Sequence, residues 1–419
     1  MSTPRLLAGV SAARMTLAEH HEVHGSSLRF RGGELRAQLA ASGLRGRGGG
    51  AFPLSVKIDA VGRRRRRPVL VVNGCEGEPM SGKDRVLLQL APHLVVDGAL
   101  AVGDVIGAER VVFAVDEFDD ISSDAVEHAL RERLRRVARH RPELIRVPPG
   151  YVSGQESALV NWLGGRGAKP SVVPPRVTDR GVDGRPTLVS NAETLAHAAL
   201  IARHGARWFA QAGIPEDPGT ALVTLGGAVD APGVYEIELG VSLSSLLRDA
   251  GGPSAPIRGV LIGGYAGGWI GPEQVAVQRL DRVSAQEAGS RLGAGIVVVL
   301  PESACSVAET ARAAEWMAHE SAGQCGPCVH GLAAIGRALE DVRRGHRGRE
   351  AFADVVRFLA QIPGRGACAH PDGAVAFVAS AVRVFREAFL DHAEQGPCDG
   401  CDRPGVLETP GRRLGRAAR

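Results

Sequence analysis

The chain has 419 residues, too many for one hydrophobic core, and 44% apolar with 23% charged residues is the composition of a globular rather than a disordered protein. A formal charge of +4 is small for this length, and no apolar run approaches the roughly 18 residues of a membrane span, so neither a nucleic-acid partner nor a direct membrane span is expected. The start lacks a signal-peptide core, and five of the seven cysteines fall in the last quarter, which together point to a cytoplasmic protein, free or peripheral to a membrane complex, that uses thiols for metal.

Residues 1–40 form a weakly patterned N-terminal extension with one expected helix over Glu34–Ala41. It leads into LRGRGGGAFPLSVK (Leu44–Lys57), where Gly46, Gly48, Gly49 and Gly50 surround Arg47. Such glycine density suits neither helix nor strand. Its use is to bring backbone N–H groups close to a ligand, and a loop of this kind feeding a helix N-terminus is an anion site. With Arg47 and Lys57 beside it, the loop reads as a cradle for a nucleotide phosphate, stiffened at its exit by Phe52-Pro53; a mobile surface loop is the alternative. The run Arg63–Arg67 carries no interleaved aromatics and reads as a solvated loop.

Val69–Asn73 is a β-branched run of the kind buried in a parallel sheet, followed by the charged loop CEGEPMSGKDR (Cys75–Arg85). A helix is expected over Pro92–Val105, a strand over Arg110–Val115, a helix over Ser123–His140 striped by Val126, Leu130, Leu134 and Val137, and a strand over Leu144–Val147. This alternation predicts an α/β nucleotide-binding domain. Gly154 opens a further helix, Gly164–Pro186 is irregular, and Ser190 with Glu193 reads as a capping box for a helix ending near Gly205. Beyond a linker at Pro215–Gly219 come strands at 222–225, 234–237, 259–264 and 296–300 around a short helix, Ser244–Ala250: a small α+β domain. From Ser306, paired with Glu309 as a cap, the pattern is helical to about Glu394, its last helix striped by Val375, Val378, Val382, Phe385 and Phe389, as in a bundle. The Gly/Pro/Arg-rich residues from Gln395 on are expected to be disordered.

Glu76 and Glu78 lie beside the cradle. Carboxylates there repel phosphate, so they are expected to accept hydrogen bonds from ribose, an amide or a ring N–H, with Lys83, Asp84 and Arg85 as salt-bridged support. Cys325-Gly-Pro-Cys328 and Cys368 bring three thiols from two loops together, which suits an iron–sulfur cluster, or zinc with a histidine as fourth ligand, against a plain reading as inert buried cysteines.

The segments SGLRGRGGGAFP, NGCEGEPMSGKDR, GYVSGQESALVNWL, LVSNAETL and ESAGQCGPC follow one another in that order. In these motifs, across about residues 40–395, the chain resembles the flavoprotein (F-subunit) family of bacterial NADH-quinone oxidoreductase, which includes the NADH-oxidising subunits of respiratory complex I and of related soluble hydrogenases and formate dehydrogenases. The resemblance implies a Rossmann-like domain for FMN and NAD(H) over 41–214, a β-grasp domain of the soluble-ligand-binding (SLBB) type over 218–301, a helical bundle with a [4Fe–4S] cluster over 302–395, and a tail over 396–419. It implies FMN held by Gly46, Gly48, Lys57, Asn73, Glu76, Gly154, Glu156, Asn191 and Thr194, with Arg47 and Gly49 in the same loop. NADH would stack on the flavin near Phe52 and Glu78, with Gln155 and Arg176 close to the dinucleotide. Hydride would pass to the flavin, and electrons would leave singly through a cluster on Cys325, Cys328 and Cys368 to a ferredoxin-like or complex I-like partner subunit, with no side-chain general base.

The chain departs from the family pattern at several positions. Ala322 stands where the first cluster cysteine is usual, so the fourth ligand falls to His319, His330, His370, Cys305, Cys398 or Cys401, or is missing. Ala51 adds a methyl group to the glycine loop, Cys75 replaces an aspartate, Gly82 and Arg176 replace phenylalanines, and Gln155 replaces a glutamate. Arg176 could pair with a 2′-phosphate, which motivates acceptance of NADPH beside NADH. The leading expectation is an FMN-dependent NAD(P)H dehydrogenase of a stand-alone or small-complex kind; the competitors are a non-catalytic scaffold or nucleotide-binding relative that has lost its cluster, and a zinc-stabilised binding protein.

Overall fold

The computed structural model describes residues 3–62, 66–133 and 142–411. The expected basic run therefore lies partly, and Leu134 and Val137 of the expected helical stripe wholly, outside the described residues.

The first part contains α1 (Leu17–His24), α2 (Gly32–Ala41), α3 (Leu54–Gly62), β1 (Val69–Asn73), α4 (Lys83–Leu90), α5 (Pro92–Ile106), β2 (Arg110–Asp116), α6 (Asp120–Arg133), β3 (Glu143–Val147), α7 (Glu156–Leu163), β4 (Thr187–Asn191), α8 (Ala192–His204) and α9 (Ala206–Phe209). The four strands pair in parallel in the order β3-β2-β1-β4. Both faces of the sheet are covered, so Val69–Val72 of β1 are all apolar and buried. Leu70 and Val72 join the core with Phe113 and Leu195, while Val69 and Val71 face Val112, Leu159 and Val189 on the other side. Pro92 stands in the first turn of α5, where its missing N–H does no harm, and Gly107 ends that helix at φ 64°.

The N-terminal extension packs into the core of this part and is tied to Glu236 of the next. Leu6 is fully buried, and the backbone N–H groups of Arg5, Leu6 and Leu7 donate to the Glu236 carboxylate at 2.8, 2.9 and 3.0 Å. Thr16 and Glu19 form a capping box for α1, which seats His20 against Asp97, a carboxylate also bound by Arg133 and Arg203.

The second part contains β5 (Gly213–Ile214), β6 (Asp217–Pro218), β7 (Thr220–Gly227), β8 (Gly233–Glu238), α10 (Leu243–Asp249), β9 (Ile257–Ile262), β10 (Gly268–Ile270), α11 (Arg282–Glu287) and β11 (Ile296–Pro301). Its main sheet runs β10-β9-β11-β7-β8, antiparallel except between β11 and β7. The expected linker at 215–219 is instead part of the small β5–β6 pair, with Asp217 buried.

The third part contains α12 (Ser306–His319), α13 (Leu332–Arg344), α14 (Gly348–Gln361), α15 (His370–Val384) and α16 (Arg386–Gln395). Two expected caps are displaced by one residue: Ser190 is the penultimate residue of β4 and the α8 cap is Asn191, while Ser306 lies inside α12 and its cap is Cys305. The single expected terminal helix breaks at Phe385 into α15 and α16. Residues 396–411 are not a free tail: Val406 and Leu407 donate their N–H groups to the Glu309 carboxylate at 3.0 Å each, and residues 412–419 lie outside the described residues. Among the described residues no single helix is long and apolar enough to cross a membrane.

Candidate active site

Strands β1 and β4 end side by side, with Asn73 opposite Asn191, at the point where the strand order reverses direction. Carboxyl ends of parallel strands at such a point are where open α/β sheets bind ligands, because the loops diverge there. A cavity of about 500 Å³ occupies this place.

The glycine loop forms one wall. Gly46 donates its N–H to Phe52 O at 2.9 Å and Leu54 to Leu44 O at 3.0 Å, which closes the loop into a narrow hairpin before α3. Gly49 holds φ 101°, a conformation closed to side-chain-bearing residues, and a Cβ on Gly48 would stand 3.1 Å from the Asn191 Cβ. Among the described residues the N–H groups of Gly48, Gly49 and Gly50 have no protein acceptor. Ala51 is held at φ 47°, where an L-residue pays about 1 kcal/mol. Ala51→Gly is therefore expected to raise stability by about 0.5 kcal/mol, the relief of strain less the entropy of an added glycine. Thermal midpoints of the two proteins check this.

Lys57 crosses the cavity floor and donates to Glu156 Oε1 at 3.2 Å and Val189 O at 3.1 Å. Asn73 donates to Gly154 O at 2.8 Å and accepts from the Cys75 N–H at 3.1 Å, so β1 and the loop before α7 are tied together. Thr194 accepts from the Arg47 N–H at 2.9 Å. Gly46, Gly48, Gly49, Phe52, Lys57, Asn73, Glu76, Glu78, Gly154, Gln155, Glu156, Asn191 and Thr194 all line the cavity, and Phe52 is 45% exposed.

Three of the expected residues also make, or make instead, contacts within the protein. The buried Arg47 side chain lines neither this cavity nor its neighbour; its guanidinium turns away to Pro218 O at 3.2 Å and Asp217 at 3.7 Å and joins the first part to the second. Glu76 accepts from Ser81 Oγ at 2.5 Å and from the Asp84 and Arg85 N–H groups at 3.1 Å each, so its carboxylate caps α4. Arg176 is exposed and lines neither cavity, so its pairing with a 2′-phosphate finds no support. Gln155 has a structural duty as well: its side chain accepts from the Ser157 and Ala158 N–H groups and caps α7.

Under the cradle lies a buried charge cluster. Lys83 Nζ stands 3.0 Å from Asp84, 2.9 Å from Glu193 and 3.3 Å from Asn191 Oδ1. Burial opposes the ionised state of Glu193, yet Lys83 and His197 hold its carboxyl down to about 2. Asn191 donates to Asp84 at 2.6 Å, so the residue beside Gly48 is fixed from below.

Glu78 separates the cavity from a second one of about 590 Å³ and accepts from the Tyr265 N–H at 2.5 Å and from the Tyr151 hydroxyl. Burial raises its carboxyl from 4.5 to about 7. A raised acid favours folding below its unfolded value and loses that contribution as pH rises through 7, a full effect of about 3 kcal/mol that water in the cavities reduces. Glu78→Gln is expected to gain about 1–2 kcal/mol over the parent above pH 7 and nothing below pH 4.5, read as thermal midpoints across that range.

The remaining wall comes from distant sequence: Tyr151, then Gly263, Arg291, Gly293 and Ala294 of the second part, then Cys368, His370 and Gly373. Cys325 and Cys328 share a hydrogen bond, and burial with the nearby Cys325 and Cys368 pushes the Cys328 thiol up to about 12. The three expected ligands thus meet, and one of them touches the cavity. Of the expected substitutes for the missing thiol, His319 and His330 are exposed, while His370 is buried with Nε2 2.9 Å from Met317 O and Nδ1 without a partner.

Residues 39–199 match the model of the Nuo51 FMN-binding domain, and residues 308–392 match the NADH-ubiquinone oxidoreductase-F iron-sulfur binding region. The second F-subunit of NADH-quinone oxidoreductase in Rhizobium meliloti is 32% identical over 379 residues, covering 87% of this chain and 90% of the relative. The F-subunit of the Mycobacterium tuberculosis enzyme is 32% identical over 388 residues, 88% and 87% of the two chains. The chain belongs to the F-subunit family of NADH-quinone oxidoreductase. Its fold is also that of a chain of the NAD+-reducing [NiFe]-hydrogenase in the air-oxidized state, with TM-score 0.81 and 30% identity, covering 89% of this chain and 64% of the hydrogenase chain.

In this F-subunit homologue the residues fit a flavin phosphate and supply three thiolates toward a cluster. Three unpaired N–H groups on a glycine hairpin suit a flavin phosphate. Cys325, Cys328 and Cys368 are neighbours without forming a group tight enough to enclose one ion, as a larger cluster requires, and Ala322 leaves them one thiolate short.

Proposed function

We propose that the chain is the NADH-oxidising flavoprotein of a redox complex, with its first part Rossmann-like over 41–214, its second a β-grasp unit of the SLBB type over 218–301, and its third the cluster-bearing bundle over 302–395. Bound FMN supplies the acceptor for a hydride and the means to release electrons one at a time. The chain's own residues bind and orient. Gly46, Gly48 and Gly49 cradle the phosphate, Lys57, Asn73, Gly154 and Asn191 fix the flavin, and Phe52 with Glu78 borders the space for nicotinamide. Arg291, reaching in from the second part, adds a cation to the same wall. The observation that carries this reading is that Cys368 and the glycine cradle line one cavity, so a cluster thiolate and the flavin site share a wall. Electrons then pass to a ferredoxin-like or complex I-like partner subunit, at the periphery of a membrane or free of it.

The placement of Arg176 outside both cavities favours NADH over NADPH as the nucleotide. Anaerobic titration with NADH tests the proposal. The flavin band is expected to bleach, NADPH to act far more weakly, and Arg176→Ala to leave that ratio unchanged. Protein that takes up no FMN, or whose bound FMN stays oxidised under NADH, would instead be the non-catalytic relative that Ala322 favours.

A further inference from the structure

Four side chains that the flavin site does not use converge at the other end of α12. Cys305 precedes that helix, His392 lies near the end of α16, Cys398 precedes the turn Asp399–Asp402 and Cys401 lies within it; their donor atoms all lie within 4.8 Å of one another. As α12 has 14 residues, this group stands about 20 Å along the helix from the Cys325 end, too far to complete the iron–sulfur set.

From this geometry we infer that Cys305, His392, Cys398 and Cys401 form a closed tetrahedral site for a single zinc ion. Zn–S bonds of about 2.3 Å and Zn–N bonds of about 2.0 Å at tetrahedral angles place sulfurs about 3.8 Å apart and nitrogen about 3.5 Å from sulfur. The observed edges are 3.5 Å for Cys305–Cys401, 3.9 Å for Cys398–Cys401, and 3.4 and 3.3 Å from His392 Nε2 to Cys305 and Cys401. The surrounding hydrogen bonds prepare the donors. His392 Nδ1 lies 2.7 Å from Ala388 O, which fixes the proton on Nδ1 and leaves the Nε2 lone pair facing the sulfurs. The Ala308 N–H donates to the Cys305 sulfur at 3.3 Å, the contact of a helix N-terminus with a thiolate.

The site staples the C-terminal strap. Beyond Cys401 the chain runs along α12, where Val406 and Leu407 bind Glu309, Tyr265 donates its hydroxyl to Glu408 O at 2.5 Å, and Trp316 Nε1 donates to Pro410 O at 3.0 Å. Glu408 and Pro410 line the second cavity beside Glu78, so the ion holds in place one wall of the space next to the proposed nucleotide site.

Elemental analysis of the full chain, purified without affinity-resin metal, tests the inference. Zinc is expected at about one per chain, retained after flavin removal and lost at least tenfold in Cys398→Ser/Cys401→Ser, while Cys325→Ser leaves it unchanged. Replacing the zinc with cobalt is expected to give the intense visible bands of a tetrahedral thiolate site. A glutamate-specific protease is expected to cut after the exposed Glu408 at least tenfold faster once the metal is chelated. Zinc-free protein that remains folded and takes up no zinc under reducing conditions would overturn the inference, as would zinc that follows Cys325 rather than Cys398, or iron in its place. Because the zinc-free and iron-bound results are read on the parent protein, misfolding of a variant cannot mimic them, and the Cys325→Ser comparison is read only on protein that keeps the parent's circular dichroism.

Discussion

Lys83→Met is expected to lose about 4 kcal/mol of stability and, with it, retention of FMN through gel filtration. Lys83 is fully buried and its ammonium lies between Asp84 at 3.0 Å and Glu193 at 2.9 Å. Taking away the cation strands two buried carboxylates, and breaking such a pair from one side costs about 3–5 kcal/mol, most of it the desolvation of what remains. The damage reaches the cradle because Asn191, the neighbour of Gly48, is held by Lys83 and Asp84. Adding Glu193→Gln should restore about half of the loss. The pH dependence follows from the sign of the Glu193 shift. Its carboxyl is held at about 2 against an ordinary 4.5, so its contribution is complete above pH 4.5 and disappears as pH falls through 2. The gap between parent and Lys83→Met should therefore narrow in acid. A gap constant across that range, or a variant as stable as its parent, would show that the cluster is not what supports the site.

Gly98→Ala is expected to cost about 3 kcal/mol or to prevent folding. In an exposed helix the same change would add about 1 kcal/mol, since alanine is the better helix former. Here α5 packs against α8 so closely that a Cβ on Gly98 would stand 1.7 Å from Leu195 O. Backbone cannot yield as a side chain does, so the helices must separate, and α8 is capped by Asn191, which lines the cavity. Gly33→Ala in α2, where a Cβ would meet nothing within 4 Å, is the control and should be neutral or stabilising. Equal thermal midpoints for the two variants would contradict the packing.

The bundle holds two separate groups of cysteines. Cys325, Cys328 and Cys368 are neighbours, with Cys368 at the cavity the glycine hairpin lines, while Cys305, Cys398 and Cys401, available as replacements by composition alone, group with His392 at the far end of α12. The proposed zinc and the proposed cluster thus make separate demands on the same bundle, one at each end of a single helix.

Much of the fold was legible in the residues themselves, because local signals and tertiary structure agree where a segment is apolar on both faces. The run Val69–Asn73 forms β1 over those same residues, and Pro92 starts α5 as its chemistry requires. The glycine hairpin and its cavity neighbours Lys57, Asn73, Gly154 and Asn191 were legible because close backbone approach leaves a mark in composition, and because the ordered motifs resemble one family. Tertiary structure alone decided which charges face the ligand. Arg47 and Glu76 are chemically suited to bind it, yet Asp217, 170 positions on, and the N-terminus of α4 take them, since a buried charge pairs with whatever the fold brings nearest. The walls from Arg291 and Tyr151, the overlap of Gly98 with Leu195, and the tetrahedron of Cys305 with His392, Cys398 and Cys401 join segments far apart in the chain. Periodicity and spacing report only the neighbours a residue has along its own segment, so contacts of that range become visible only when the chain is folded.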